Sequence, residues 1–181
     1  LQGSIMKLKP GDKIENLSLP TIDGGTFNIN ELNGKKALIS FYRFASCPFC
    51  NLRINTIIRN YKKLDSNFKI VAIFDSSLKK LSYVNKHDAP FTIAADEERA
   101  YFKQYNVERS VLKFIKASIL RSPSLLMAML KGYVPIEFKA SLTTVPVDIL
   151  LNEDGTISKA YYGNDTGDHL SFDEIKDFSK A

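Results

Sequence analysis

The architecture follows from one stretch of the chain, which reads Ala37-Leu38-Ile39-Ser40-Phe41-Tyr42-Arg43-Phe44-Ala45-Ser46-Cys47-Pro48-Phe49-Cys50. Its first six residues are largely apolar and rich in strand formers, which predicts a buried strand. Apolar residues then recur at helical spacing over 48–64, and a second buried strand is predicted over 69–74. Strand, helix and strand form a βαβ unit, whose two strands are expected to be parallel with a right-handed crossover.

The alternation of strands and helices continues beyond this unit. Asp75-Ser76-Ser77 offers a cap for a helix that extends to about His87, a third short strand is predicted over 91–94, and Asp96 opens another helix. These segments predict an α/β protein.

The C-terminal part predicts a hairpin and a final helix. Two strand-like runs over 145–151 and 157–162 flank the turn cluster Asn152-Glu153-Asp154-Gly155, which indicates an antiparallel pair. Ser171 is placed to cap a last helix. The expected fold is therefore a mixed central β-sheet flanked by helices on both faces.

Length and composition fit one globular domain. The chain has 181 residues, of which 44% are apolar and 25% charged. Residues 1–5 resemble a vector-derived remnant before a natural start at Met6, so the domain is expected to cover 6–181. No long uncharged apolar run and no secretory signal pattern occurs, so a cytoplasmic protein is expected.

Most of the net charge of +5 is local. The segment over 109–139 contains one acid, Glu137, and six bases, which are Arg109, Lys113, Lys116, Arg121, Lys131 and Lys139. The rest of the chain is balanced and has no basic stripe with interleaved aromatics, so nucleic acid is not expected as a partner.

This basic segment forms a predicted helical insertion over about 109–143. Apolar residues at helical spacing lie on one face of its first part, and these are Val111, Leu112, Phe114, Ile115 and Ile119. The favoured interpretation is that this face packs onto the domain near the cysteine site. A partner, an oligomer contact or an anionic membrane is the alternative, and the oligomeric state is left open.

Two cysteines, Cys47 and Cys50, are the only ones in the chain, and they are separated by two residues. They lie where a helix should begin, and unpaired N–H groups and the helix dipole favour a thiolate there. Redox chemistry is the favoured interpretation. An inert pair is one alternative, and a zinc site is another, although His87 and His169 are not spaced as a second ligand pair.

Within such a pair, Cys47 is predicted to be the exposed attacking thiolate and Cys50 the sheltered resolving thiol. Arg43 ends the first strand and is a candidate to stabilise the charge on Cys47, and Arg121 is a weaker candidate. His169, in the turn after the last strand, is a candidate to relay protons to a leaving thiolate.

The segment Cys47-Pro48-Phe49-Cys50-Asn51-Leu52 after Phe41-Tyr42-Arg43 resembles the AhpC/TSA-type, peroxiredoxin-like family. Further matching landmarks are Pro10-Gly11-Asp12, Ala95-Asp96-Glu97, Pro146-Val147-Asp148 and Gly163-Asn164-Asp165-Thr166-Gly167-Asp168-His169. The resemblance implies a thioredoxin-like fold. It also implies a cis peptide bond between Val145 and Pro146, which would make Pro146 part of the site by presenting the Val145 backbone to an incoming sulfur.

The resemblance implies an oxidoreductase that reduces peroxides through Cys47 and Cys50 with no cofactor or metal. An external dithiol, such as a thioredoxin system, would then reduce the disulfide. Typical members have Pro seven residues and Thr three residues before the reacting cysteine, where this chain has Ser40 and Phe44. Two alternatives therefore stay open, a protein thiol–disulfide oxidoreductase and a redox sensor without turnover.

Overall fold

A computed structural model describes residues 5–82, 87–133 and 140–181. Its centre is a five-stranded sheet with the order β5-β4-β3-β6-β7. The strands are β3 (Ala37–Tyr42), β4 (Lys69–Phe74), β5 (Thr92–Ala95), β6 (Val147–Leu151) and β7 (Ile157–Tyr162).

The pairing confirms the predicted βαβ unit and the predicted hairpin. Strand β3 pairs in parallel with β4, and β4 pairs in parallel with β5. On its other side β3 pairs antiparallel with β6, which pairs antiparallel with β7. The sheet is therefore mixed, as expected, and β3 lies at its centre with every residue buried.

Six helices accompany the strands in the described part of the chain. They are α1 (Pro48–Asn60), α2 (Leu78–Leu81), α3 (Ala100–Gln104), α4 (Val111–Leu120), α5 (Ser122–Leu130) and α6 (Phe172–Lys180). Ser171 caps α6 as predicted, because its side chain accepts a hydrogen bond from the Glu174 N–H. The helix expected to reach His87 is much shorter as far as it is described, and residues 83–86 of that prediction lie outside the described residues.

Two short strands that the sequence pattern did not indicate precede the main sheet. These are β1 (Ser18–Pro20) and β2 (Thr26–Asn28), which pair antiparallel. Asn28 then caps a short 3₁₀ turn over Ile29–Leu32 through a reciprocal capping box with Glu31.

The two faces of the sheet bury different clusters, because successive side chains of a strand point to opposite faces. Ile39 and Phe41 of β3 belong to a large apolar cluster on one face. Tyr42 belongs to a cluster on the other face, together with Cys47 and Cys50. The cysteine pair is therefore an integral part of a hydrophobic core.

The expected cis bond before Pro146 is wrong, since no peptide bond among the described residues is cis. The preceding backbone is held extended: Ser110 N–H donates to the Thr143 carbonyl at 2.8 Å, and Val145 N–H donates to the Glu108 carbonyl at 3.0 Å. This pairing leads straight into β6 with the trans bond, which X-Pro prefers by about 0.5–1 kcal/mol.

The insertion contains two helices, but four of the five residues in the predicted apolar face of α4 do not pack onto the domain. Val111, Leu112, Ile115 and Ile119 are exposed, whereas the small Ala117 is fully buried. Helix α5 packs against α1, the helix that begins at the cysteine pair. The two helices thus contact the domain through the small Ala117 and Ala128 and through Phe114, whose ring lies against the Arg43 guanidinium, and they leave most of their other large apolar residues in solvent.

Candidate active site

Cys47 is the N-cap residue of α1. Its side chain accepts a hydrogen bond from the backbone N–H of Cys50, with 3.3 Å between nitrogen and Sγ. Pro48 occupies the first helical position, where a missing N–H costs nothing. The helix start therefore directs a donor at the Cys47 sulfur, as the sequence predicts, and this donor favours a thiolate.

The pKa values of the two thiols are shifted in opposite directions. Burial raises the pKa of Cys47, but the hydrogen bond from the Cys50 side chain and the charge of Arg43 outweigh this and bring the pKa down to about 7. Burial and the neighbouring Cys47 sulfur raise the pKa of Cys50 well above its usual range. Near neutral pH the negative charge therefore resides on Cys47.

Both sulfurs are buried, Cys47 at 0% and Cys50 at 1% exposure. The expectation that Cys47 is exposed is therefore wrong for this conformation. Both cysteines belong to a buried apolar cluster, and Phe49 of α1 and Leu142 at the end of the insertion pack against this cluster and cover it. Access of a substrate to Cys47 requires this cover to open.

Arg43 is buried at the end of β3, and no Asp or Glu among the described residues pairs with it. Its Nη2 donates to the Leu142 carbonyl at 2.5 Å, and its Nη1 donates to the Thr166 carbonyl at 3.4 Å. Its guanidinium also lies over the rings of Phe44 and Phe114. Within the described residues this buried cation has only uncharged partners, so its positive charge is available to stabilise the Cys47 thiolate.

Asn51 supports the turn that holds Cys47. Its side-chain amide donates to the carbonyls of Ala45 at 2.9 Å and Cys47 at 2.8 Å. Its Oδ1 lies 2.8 Å from the Nε2 of His87. Sequence reasoning considered Asn51 only as part of the motif and His87 only as a possible metal ligand, because a contact across 36 residues leaves no local pattern.

A buried polar group lies on β6, the strand beside β3. Asp148 of β6 accepts from the Ser40 hydroxyl at 2.7 Å and from the Leu170 N–H at 2.8 Å. Both of its carboxylate oxygens lie 3.1 Å from the Nδ1 of His169. The one signal in the sequence was an acid within the otherwise apolar strand Val147–Leu151, since Asp is almost never fully buried unless paired.

His169 is therefore placed at this buried carboxylate rather than at the surface. Its ring centroid lies 5.0 Å from that of Tyr42, the last residue of β3. Burial raises the pKa of Asp148, but the charge and the hydrogen bond of His169 outweigh it and lower the pKa to about 2. Asp148 is thus an ionised partner that orients the imidazole.

The remaining predicted residues have structural contacts. Pro146 follows Val145 with a trans bond, and its carbonyl accepts from the Gly163 N–H at 3.0 Å. Arg121 donates from Nε to both oxygens of Asp165, at 2.8 and 3.1 Å. Its charge is therefore neutralised by a carboxylate, and Arg121 ties the insertion to the loop after β7.

No group of three or more His, Cys, Asp or Glu side chains in the described ranges is arranged to hold a metal ion. Likewise, no helix in these ranges is both long and apolar enough to cross a membrane.

The sequence is similar to that of a known peroxiredoxin. The chain is 29% identical to peroxiredoxin Bcp of Escherichia coli K12 over 102 residues, which cover 55% of this chain and 65% of that protein. The match thus spans slightly less than two thirds of this relative's length.

Two solved structures share the fold. Peroxidoxin BcpB of Mycobacterium tuberculosis superposes with a TM-score of 0.68 at 14% identity, covering 96% of this chain and 97% of its own. A secreted disulfide oxidoreductase of the same organism has a TM-score of 0.56 at 19% identity, covering 91% of this chain and 95% of its own. Both confirm the thioredoxin-like, peroxiredoxin-like fold.

The family model for AhpC/TSA matches residues 10–160, which include both cysteines, the whole of β3 and β6, and the insertion. This match extends over well more than half of the sequence, so the chain belongs to the AhpC/TSA family.

Proposed function

We propose that this protein is a thiol peroxidase in which Cys47 is the nucleophile and Cys50 the resolving thiol. The observation that supports this most is the environment of Cys47. Cys47 receives the Cys50 N–H at the start of α1. The Cys50 side chain and the buried Arg43 lower its pKa, and no carboxylate in residues 5–82, 87–133 and 140–181 pairs with Arg43.

In the proposed first step, the Cys47 thiolate attacks one peroxide oxygen and the O–O bond breaks. The sulfur is oxidised to a sulfenic acid, and the peroxide is reduced to an alcohol or water as the leaving oxygen takes up a proton. The charge of Arg43 would stabilise the thiolate before attack and the developing negative oxygen during it.

In the second step, the Cys50 sulfur attacks the sulfenic sulfur, an S–S bond forms and water leaves. Cys50 must lose its proton to do so, and the raised pKa of its thiol makes this the step that needs a base. His169, oriented by Asp148, is the proposed acceptor. An external dithiol, such as a thioredoxin, then supplies two electrons and reopens the disulfide.

The test of this proposal is to trap the sulfenic acid on Cys47. Treatment of reduced Cys50→Ser with one equivalent of hydrogen peroxide should add one oxygen atom to Cys47, as read by mass spectrometry, because no resolving thiol is available. Cys47→Ser is the matched control and should not consume peroxide. Stoichiometric peroxide consumption by Cys47→Ser would refute the assignment.

A protein thiol–disulfide oxidoreductase is the second candidate. It is favoured by the vicinal cysteine pair and by Phe44, which packs over Arg43 and brings no hydroxyl at the position where typical family members have Thr. Stopped-flow oxidation of the reduced protein by hydrogen peroxide, an alkyl hydroperoxide and an oxidised protein compares the two candidates. Faster reaction with the protein disulfide would replace the first proposal, and absence of sustained turnover with any oxidant would favour a sensor.

A further inference from the structure

The insertion carries an unusual amount of apolar surface. Of the twelve exposed large apolar side chains among the described residues, nine belong to α4 and α5. Leu112 is 80% exposed and Leu130 is 77% exposed. Single exposed apolar residues are normal in proteins, but a contiguous group indicates an interaction surface.

Seven of these nine side chains share one side of their helix. On α4, positions 111, 112, 115 and 119 lie within one arc, and on α5 positions 126, 127 and 130 do the same. The opposite sides hold the buried Ala117 and Ala128. We call the exposed side chains of these two arcs the α4–α5 apolar surface, which comprises Val111, Leu112, Ile115, Ile119, Leu126, Met127 and Leu130.

The charges around this surface have one sign. Residues 109–133 contain no Asp or Glu. Lys116 and Lys131 are exposed and have no acidic partner within the described residues. Lys113 pairs with Glu108, and Arg121 pairs with Asp165, so these two bases are already engaged in ion pairs within the protein. Among the described residues, one lysine without an acidic partner thus lies on α4, and another directly follows α5.

We propose that the α4–α5 apolar surface binds the surface of an anionic lipid bilayer. Amphipathic helices with apolar residues on one side and flanking lysines bind in the plane of such a surface, because apolar burial and attraction to anionic lipids add together. A second copy of the chain fits less well. A two-fold interface would present the same patch twice and bring Lys116 and Lys131 of both copies together.

The test is co-sedimentation of the full chain with vesicles of phosphatidylcholine alone or mixed with phosphatidylglycerol. Binding should be at least about tenfold stronger to the anionic vesicles and should weaken with added salt, as expected for lysine contacts. Lys116→Gln/Lys131→Gln should remove most of this preference.

Leu112→Gln/Leu130→Gln should lower binding to the anionic vesicles by at least about tenfold, because each leucine loses apolar burial in the interface. Both side chains are solvent-exposed, so the fold should persist, which circular dichroism verifies. Leu78→Gln is the matched control, since Leu78 is 39% exposed and lies outside the α4–α5 apolar surface.

Equal binding to both kinds of vesicle, or no binding to either, would overturn the proposal. Binding unchanged by the double leucine variant would also overturn it. The proposal would also be overturned if the wild type did not bind vesicles but formed a concentration-dependent dimer, as seen by analytical ultracentrifugation, and the leucine variant did not form this dimer. Because vesicle binding requires no turnover, these outcomes are independent of the proposed peroxidase chemistry.

Discussion

The Nη2 of Arg43 lies 2.5 Å from the carbonyl oxygen of Leu142, which joins the end of the central strand to the end of the helical insertion. The same guanidinium lowers the pKa of Cys47, and Leu142 packs against the cluster that contains both cysteines. The charge beside Cys47 and part of the packing around it therefore come from two adjoining residues, whose effects can be separated by mutation.

The first prediction concerns the pH dependence of Cys47. In Cys50→Ser, where the backbone N–H and a hydroxyl still donate to Cys47, the alkylation rate should rise with pH and reach half its plateau near pH 7. Cys47→Ser is the comparison, and its remaining thiol should react only at clearly higher pH. A Cys47 midpoint at that of a free thiol would contradict the prediction.

The second prediction isolates the charge of Arg43. Arg43→Met keeps much of the side-chain volume and removes the cation, so the pKa of Cys47 should rise by about one unit, which lowers the thiolate fraction at pH 7 by about fivefold. Arg121→Met is the matched control, because Arg121 is paired with Asp165. The measurement is the pH at which the alkylation rate of Cys47 reaches half its plateau. Equal values in the two variants would exclude the proposed effect of Arg43 on the pKa of Cys47.

The third prediction concerns the access of small reagents to the Cys47 sulfur. Leu142→Ala removes part of the cover over the cysteine cluster, so the plateau rate of Cys47 alkylation should increase severalfold while its midpoint pH stays the same. Leu126→Ala, an exposed leucine of α5, should leave the plateau unchanged. An unaltered plateau in Leu142→Ala would show that this residue does not limit entry.

The fourth prediction concerns the buried carboxylate. Asp148→Asn weakens the contacts with His169, Ser40 and Leu170, and should lower the free energy of unfolding by about 1.5–3 kcal/mol in urea. Asp173→Asn, at an exposed position of α6, should have no measurable effect.

The same variant has a defined pH signature. The folded pKa of Asp148 is depressed from 3.8 to about 2, so its contribution is complete above pH 4 and is lost as the pH falls toward 2. The stability difference between wild type and Asp148→Asn should therefore shrink over that interval. A constant difference would show that Asp148 is not ionised in the folded protein.

The central elements could be predicted from the sequence because their signals are strong. β3 and β4 are largely apolar runs, and the hairpin has a turn cluster between two runs rich in strand formers. β1 and β2 were missed because three residues are too few to show a period, and α2 was overextended because propensity alone does not end a helix.

The candidate site was predictable only in its local part. The cysteine spacing and the helix start specify the Cys50 N–H donor, whereas the contact between Asp148 on β6 and His169 after β7 is tertiary and leaves no local pattern. The exposed face of α4 was also mistaken, because an amphipathic pattern indicates two unlike faces but does not say which one meets the domain.

The contacts of Arg43 also bear on biosynthesis. Its two carbonyl partners lie 99 and 123 residues further along the chain, so neither is available when α1 first emerges from a ribosome. Until those late segments dock, Cys47 lacks the enclosed guanidinium and remains closer to an ordinary thiol. The long loop closures postpone formation of these Arg43 contacts until the domain is almost complete.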